Sequence, residues 1–335
     1  MSQSVRKILI IRYSSMGDVI LVAPVVAVVR KRNPDAEIVL LTQNAYVHLF
    51  KDDSRLTRVV GVRRGEFADE LASYGEWDLV IDLQHNNRSR KQIALLQVQQ
   101  VTQFNKMHTE RTILLLLRRN IYGSNCSVAM RYLQASGERP PYGVLDFGIP
   151  FDRAPARRLL PLLRYGDIDR PVIALFPFSA WKNKEWPAEY FISIGHFFLI
   201  KGWNVILLGG KTDRDQAEAM REKIGYRCVS FAGELDLREC GSLLMHCRLA
   251  LGCDSGLSHL ARACGIKCGI IFGPTTRHFG FQPVNDPECR IFEVKRFCRP
   301  CHPHGGNICL HLDHGCMTKI TPEVVISGLM ELYHG

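Results

Sequence analysis

The sequence predicts an α/β protein of two doubly wound, parallel-sheet domains. Three observations predict it. Short apolar runs alternate with amphipathic stretches over residues 7–84, the alternation stops in a Pro-, Arg- and Asp-rich stretch around 150–170, and it restarts at residue 172. At 335 residues the chain is also longer than one core usually takes.

The elements follow in order. "KILIIR" reads as a first strand, then a short turn at Asp18 and a helix, "PVVAVVRKRNP", that uses Pro24 near its start and ends at Asn33-Pro34. "EIVLLTQ", "LTRVVGV" and "WDLVIDLQ" are further strands, with a helical "GEFADELASYG" before the last. After the connection come strands "VIALFPF", "NVILLGG", "CVSFAG", "LALGCD" and "CGIIFG", separated by helical segments. "TPEVVISGLMELY" is a terminal helix with Thr321 as N-cap and Pro322 in its first turn. The expected domains are 1–160 and 161–320, with 321–335 packing back on the first domain.

An apolar content of 46% and a charged content of 23% are those of a globular protein, and no apolar run reaches the roughly 20 residues of a membrane span. The N-terminal stretch reads as a strand and not as a signal peptide, so a cytoplasmic protein is expected. A net charge of +10 suits nucleic acid, an anionic membrane surface, a polyanionic substrate, or a merely soluble basic surface. Without an aromatic RNA-binding motif or zinc-finger spacing, nucleic acid is not expected. Of 12 cysteines, Cys253, Cys264 and Cys268 sit in apolar runs and behave as small hydrophobes in a reducing compartment.

Ligands of doubly wound sheets lie beyond the C-terminal ends of the strands, and two such domains in succession suggest a cleft between them. Four strand-end turns carry polar residues: "YSSMGD" (13–18), "DLQHNNRSR" (82–90), "FPFSAWKNKEWP" (176–187) and "GCDSGLSHLARACG" (252–265). Ser255 and Gly256 open a helix after Asp254. That helix start either binds phosphate through its free N–H groups or is simply capped by Asp254 or Ser255. Ser179, Lys182 and Lys184 follow a strand; a lysine there neutralises a diphosphate or is a solvated charge. Asp213 after "LLGG" holds ribose hydroxyls or caps a helix.

With "DLQHNNRS", "KEWP", "LLGG", "CDSGLSHLARACG" and "IIFGPT", the stretch "ILIIRYSSMGDVILVAPVV" resembles the heptosyltransferases, glycosyltransferase family 9, over nearly the whole chain and in the right order. The resemblance implies a GT-B fold, two Rossmann-like domains facing a central cleft. It implies transfer of a heptose from ADP-heptose to the inner core of lipopolysaccharide, with inversion and no catalytic metal. No cofactor is required, since ADP-heptose is a substrate.

Residue by residue, the family's general base falls on Asp18 and its donor-contacting lysine on Lys184. The hydroxyl that touches the phosphates falls on Ser179; the neighbouring position, often a second hydroxyl, is Ala180 here. The turn that holds the donor sugar and phosphates becomes Asp254, Ser255 and Gly256, the ribose carboxylate Asp213, and the adenine wall Leu235. A sugar hydroxyl needs a base as it attacks, and a leaving diphosphate needs cations and N–H donors. Domain closure would bring Asp18 to Lys184 and the Ser255 helix start. Arg88 suits an anionic, lipid-linked oligosaccharide acceptor, or is a surface arginine. The basic balance fits peripheral contact with the cytoplasmic face of the inner membrane.

Cys298, Cys301, Cys309 and Cys316 cluster among histidines. They are free thiols, a disulfide, or a structural zinc or iron–sulfur site, though the later spacing is not that of a zinc ribbon. Two other functions stay open: another GT-B enzyme, such as an epimerase or a transferase of a different sugar, and a non-catalytic nucleotide binder. Donor choice separates the first, and an intact Asp18 argues against the second.

Overall fold

A computed structural model describes residues 6–122, 127–139, 145–159, 170–281, 286–309, 311 and 313–335. The chain divides into two compact units, one of Met1–His108 and Tyr122–Pro150, the other of Thr109–Ile121 and Phe151–Gly335.

The first unit runs β1 (Lys7–Ile11), α1 (Met16–Ile20), α2 (Ala23–Arg32), β2 (Glu37–Gln43), α3 (Val47–Phe50), β3 (Arg58–Val62), β4 (Trp77–Asp82), α4 (Asn87–Ala94) and β5 (Val98–Gln103). Next come α5 (His108–Leu117), which crosses the division, and α6 (Val128–Ala135). The sheet order is β3-β2-β1-β4-β5, every pairing parallel. Strand β1 is central, so Ile8, Leu9, Ile10 and Ile11 are all buried and its sequence is a continuous apolar run. Leu9, Ile11, Val39, Leu41, Trp77 and Val80 form a core with Tyr13. The helix after β1 comes in two pieces, and Pro24 stands in the first turn of α2, where its missing N–H costs nothing.

The second unit runs β6 (Val172–Phe176), α7 (Ala188–Ile200), β7 (Asn204–Leu207), α8 (Arg214–Ile224), β8 (Cys228–Ser230), α9 (Leu237–Leu244), β9 (Leu249–Cys253) and α10 (Gly256–Ala263). It closes with β10 (Lys267–Ile271), β11 (Cys289–Phe292), α11 (Gly315–Thr318) and α12 (Pro322–His334). The order is β11-β10-β9-β6-β7-β8, again parallel throughout. The core gathers Ile173, Leu175, Trp186, Phe191, Phe198, Leu251 and Leu329.

The division falls at Phe151 instead of 160/161, a position outside the described residues. The reason is packing: the Phe151 ring fills the space a Cβ on Gly241 would need, and Ala156 N donates to Ser242 Oγ, so this stretch lies on α9. The terminal helix α12 packs on α7, β10 and β11 of its own unit, with Val325 and Leu329 fully buried. The segment expected as a helix over 65–75 is a 3₁₀ stretch, Asp69–Tyr74. Strands β5 and β11 and helices α5 and α6 were not expected. No helix among the described residues is long and apolar enough to cross a membrane.

Candidate functional site

In the first unit the site centres on Asp18. It is the third residue of α1, and Ser15 is the N-cap. The Asp18 Oδ2 accepts from Ser15 N at 3.1 Å and Ser15 Oγ at 2.9 Å, so the carboxylate does close the helix start. Its Oδ1 takes an ion pair from Arg12 Nη2 at 2.9 Å and a long bond from Tyr132 Oη at 3.4 Å. Arg12 is buried where β1 ends and also donates to Leu83 O at 2.6 Å. Burial opposes the charged form of Asp18, but Arg12 and the two Ser15 bonds outweigh it and hold the carboxyl below the usual carboxylate range. Burial likewise pushes the Tyr132 phenol far above its ordinary value, and the Asp18 charge adds to this, so the hydroxyl stays a donor. The arrangement is an ionised carboxylate at a helix start, its negative charge balanced by one buried guanidinium.

Arg88 lies with its guanidinium 4.0 Å from the Tyr13 ring centroid and donates to Arg63 O and Glu66 O. It therefore ties the loop after β3 to the turn that leads to Asp18. Burial pushes the Tyr13 phenol up to about 12, against the Arg88 charge.

In the second unit all strands point the same way, so the turns after β6, β7, β8, β9 and β10 share one edge of the sheet. Two of the expected residues meet there. Lys184 Nζ stands 2.6 Å from Asp254 Oδ2, both side chains 10% exposed. Thr275 Oγ1 donates to the same oxygen at 3.0 Å. Burial works against the Asp254 charge, yet Lys184 first, then His259 and Thr275, hold its carboxyl below the ordinary value. Ser255 is the N-cap of α10, but its Oγ makes no capping bond and is buried with no hydrogen-bond partner among the described residues. An orphaned hydroxyl beside the free N–H groups of a helix start is a ready donor to a bound anion. Gly256 follows as the first helical residue.

The other expected residues are engaged within their own turns. Trp181 N donates to Ser179 Oγ, and Ser179 N to Glu185 Oε1. Exposed Lys182 pairs with Glu185 at 3.1 Å. Asp213 Oδ2 accepts from Gly210 N at 2.7 Å, closing the turn after β7. Leu235 is half-buried just before the N-cap of α9.

Cys298, Cys301, Cys309 and Cys316 are free thiols, Cys316 buried and Cys301 exposed. Among the described residues no group of three or more His, Cys, Asp or Glu side chains is placed to hold a metal ion, although the four thiols are near enough for the others to help push Cys316 up. Leu310 and Leu312 of that segment lie outside the described residues.

Four further residues shape these sites. Arg12 and Thr275 had a signal: a charged residue ending an apolar strand, and the hydroxyl in "FGPT". Tyr132 had none, being far from Asp18 in sequence. Trp186 is buried and its Nε1 donates to Ile320 O at 2.8 Å, which anchors the Lys184 turn in the core.

The same chain has clear relatives. It is 28% identical over 172 residues to lipooligosaccharide heptosyltransferase 2 of Haemophilus influenzae, covering 49% of this chain and 48% of that one, about half the length of the relative. It is 23% identical over 294 residues to lipopolysaccharide heptosyltransferase 1 of Pseudomonas aeruginosa, 82% of this chain and 80% of the other. The structure of E. coli ADP-heptose lps heptosyltransferase II superposes with a TM-score of 0.76 at 18% identity, over 98% of both chains. At that identity the likeness speaks to the fold, two parallel-sheet α/β domains of the GT-B class. Residues 75–305, well over half the chain and reaching from before β4 to the Gly305 loop, match the family described as glycosyltransferase family 9 (heptosyltransferase), and the chain belongs to that family.

Proposed function

We propose that this protein is an inverting heptosyltransferase that moves a heptose from ADP-heptose to an anionic, lipid-linked inner-core acceptor of lipopolysaccharide. The observation that carries the mechanism is the state of Asp18, a carboxylate kept ionised at a helix start with a weak 3.4 Å contact on one oxygen. An acceptor hydroxyl replaces the Tyr132 contact and passes its proton to Oδ1 as the new C–O bond forms. The bond from the sugar carbon to the diphosphate breaks, and the electron pair leaves with ADP.

The second unit holds the donor. Lys184, paired with Asp254, and the α10 start, with Ser255 and Gly256, meet the diphosphate and receive its growing charge. Asp254 and Thr275 face the donor sugar, Ser179 the phosphates, Asp213 the ribose and Leu235 the adenine. Arg88 orients the acceptor through the loop it holds. The family resemblance, the curated relatives and the Lys184–Asp254 pair support this reading. No cofactor is required, and the work is done in the cytoplasm at the inner-membrane face, where a basic chain meets its lipid-linked substrate.

The test is acceptor-dependent ADP release from ADP-heptose, with inner-core acceptors of increasing length. Release with one acceptor is expected. No release with any acceptor at saturating donor overturns the assignment.

A further inference from the structure

The cysteine-rich segment has no part in the reaction as described, yet it lies against Lys184 and against the turn whose Thr275 donates to Asp254. Gly305 has φ +109 and a Cβ there would stand 2.7 Å from Lys184 Cδ and from Trp181 Cβ. Next to Lys184, Asn183 N donates to Gly306 O at 3.0 Å and Gly306 N donates to Asn183 Oδ1 at 2.7 Å. His314 Nε2 meets Asn183 O at 2.6 Å, so that nitrogen carries the proton. The other side is held too. Cys301 N donates to Pro274 O at 3.0 Å, and the Arg299 guanidinium donates to Gly273 O and to Thr275 O. Thr275 is the residue whose hydroxyl donates to Asp254.

We propose that residues 299–306, with His314, are a positioning strap that sets the Lys184–Asp254 pair and thereby the affinity of the second unit for a nucleoside diphosphate. This rests on the reading that Lys184 meets the donor's diphosphate. The physical need is plain. A lysine has much rotamer freedom to lose, and the 3₁₀ turn Lys182–Lys184 is a single turn with few bonds of its own. Left alone, that turn would let the ammonium wander from a site where a buried charge requires good geometry. Close approach of Gly305 narrows the path of the lysine stem, while Arg299 and Cys301 fix the turn that aims Thr275 at the carboxylate. Glycine is required at 305 on two counts, its left-handed backbone and the absence of room for a side chain.

The test is a double-mutant cycle on ADP affinity, measured by calorimetry with the full chain. G305A is expected to weaken ADP binding about tenfold in the native background and by no more than about twofold in the K184A background, the signature of two residues acting through one contact. An equal loss in both backgrounds, or no loss in the native one, overturns the strap. K184A alone binding ADP like the native protein overturns the reading of Lys184 itself, so the two failures are told apart. Should G305A not fold, N183A removes the Oδ1 acceptor without adding an atom and goes through the same cycle with the same criteria.

Discussion

Arg12 and Asp18 face each other across the turn between β1 and α1, Nη2 2.9 Å from Oδ1, with side chains only 8% and 15% exposed. The pairing resolves a tension that any buried carboxylate proposed as a base must face. A buried carboxyl would take up a proton and lose its power as a base; the guanidinium keeps it charged, at the cost of lowering its basicity.

Asp18→Asn should lower kcat by a factor of about 10²–10⁴, the range for loss of a positioned base, while ADP affinity measured by calorimetry stays within about twofold. Unchanged turnover would remove Asp18 from the mechanism.

Arg12→Met tests the charge balance. Asp18 is held below the usual carboxylate range of about 4, so the acid limb of kcat/KM in the native enzyme should lie below that value. Without Arg12, burial acts unopposed by its largest counterweight, the carboxyl rises, and the limb should move to higher pH. A pH profile of native and variant enzyme decides it; a limb that stays put would show that Arg12 does not govern Asp18.

Asp254→Asn leaves the Lys184 ammonium without its counter-charge at a site 10% exposed, so denaturant unfolding at pH 7 should show a loss of about 3–5 kcal/mol. The sign with pH follows from the lowered Asp254 carboxyl. The folded protein binds that proton less readily than the unfolded chain, so the stability is fully present above about pH 4 and is lost as pH falls through the folded value. The variant's stability should therefore fall less steeply on acidification than the native protein's.

Gly241→Ala probes where the second unit begins. The added methyl would meet the Phe151 ring at 2.7 Å, and overpacking of this kind costs about 1–3 kcal/mol. A matching Phe151→Leu should recover part of the loss in thermal unfolding. No loss at all would mean that residues from Phe151 onward are not packed on α9.

Strands whose two faces are both buried write themselves into the sequence, as "KILII" and "VIALF" show. Two of the four edge strands do not. "VQQVTQ" forms β5 although most of its side chains are exposed, and "CRIF" forms β11 with only Phe292 buried. Their pairing comes from a neighbour's free backbone, which no local pattern announces. The same limit applies at the sites. Asp18, Lys184 and Asp254 stand out as polar residues at strand ends. That Lys184 and Asp254 would pair follows only from the adjacency of β6 and β9. Arg88 was legible as a cation, but its direction, over Tyr13 and onto two carbonyls, is a matter of tertiary packing.

The strand order carries a consequence for synthesis. Ile8 pairs with Leu79, and Ile173 with Leu249, so the middle strand of each sheet is among the first of its unit to be made and waits longest for one of its partners. Contacts so distant along the chain close slowly. While the ribosome is still adding β4, the isoleucine-rich β1 has an unpaired edge exposed to every other nascent chain. Until that edge is covered it is open to pairing with other chains, the kind of exposure that chaperones guard against.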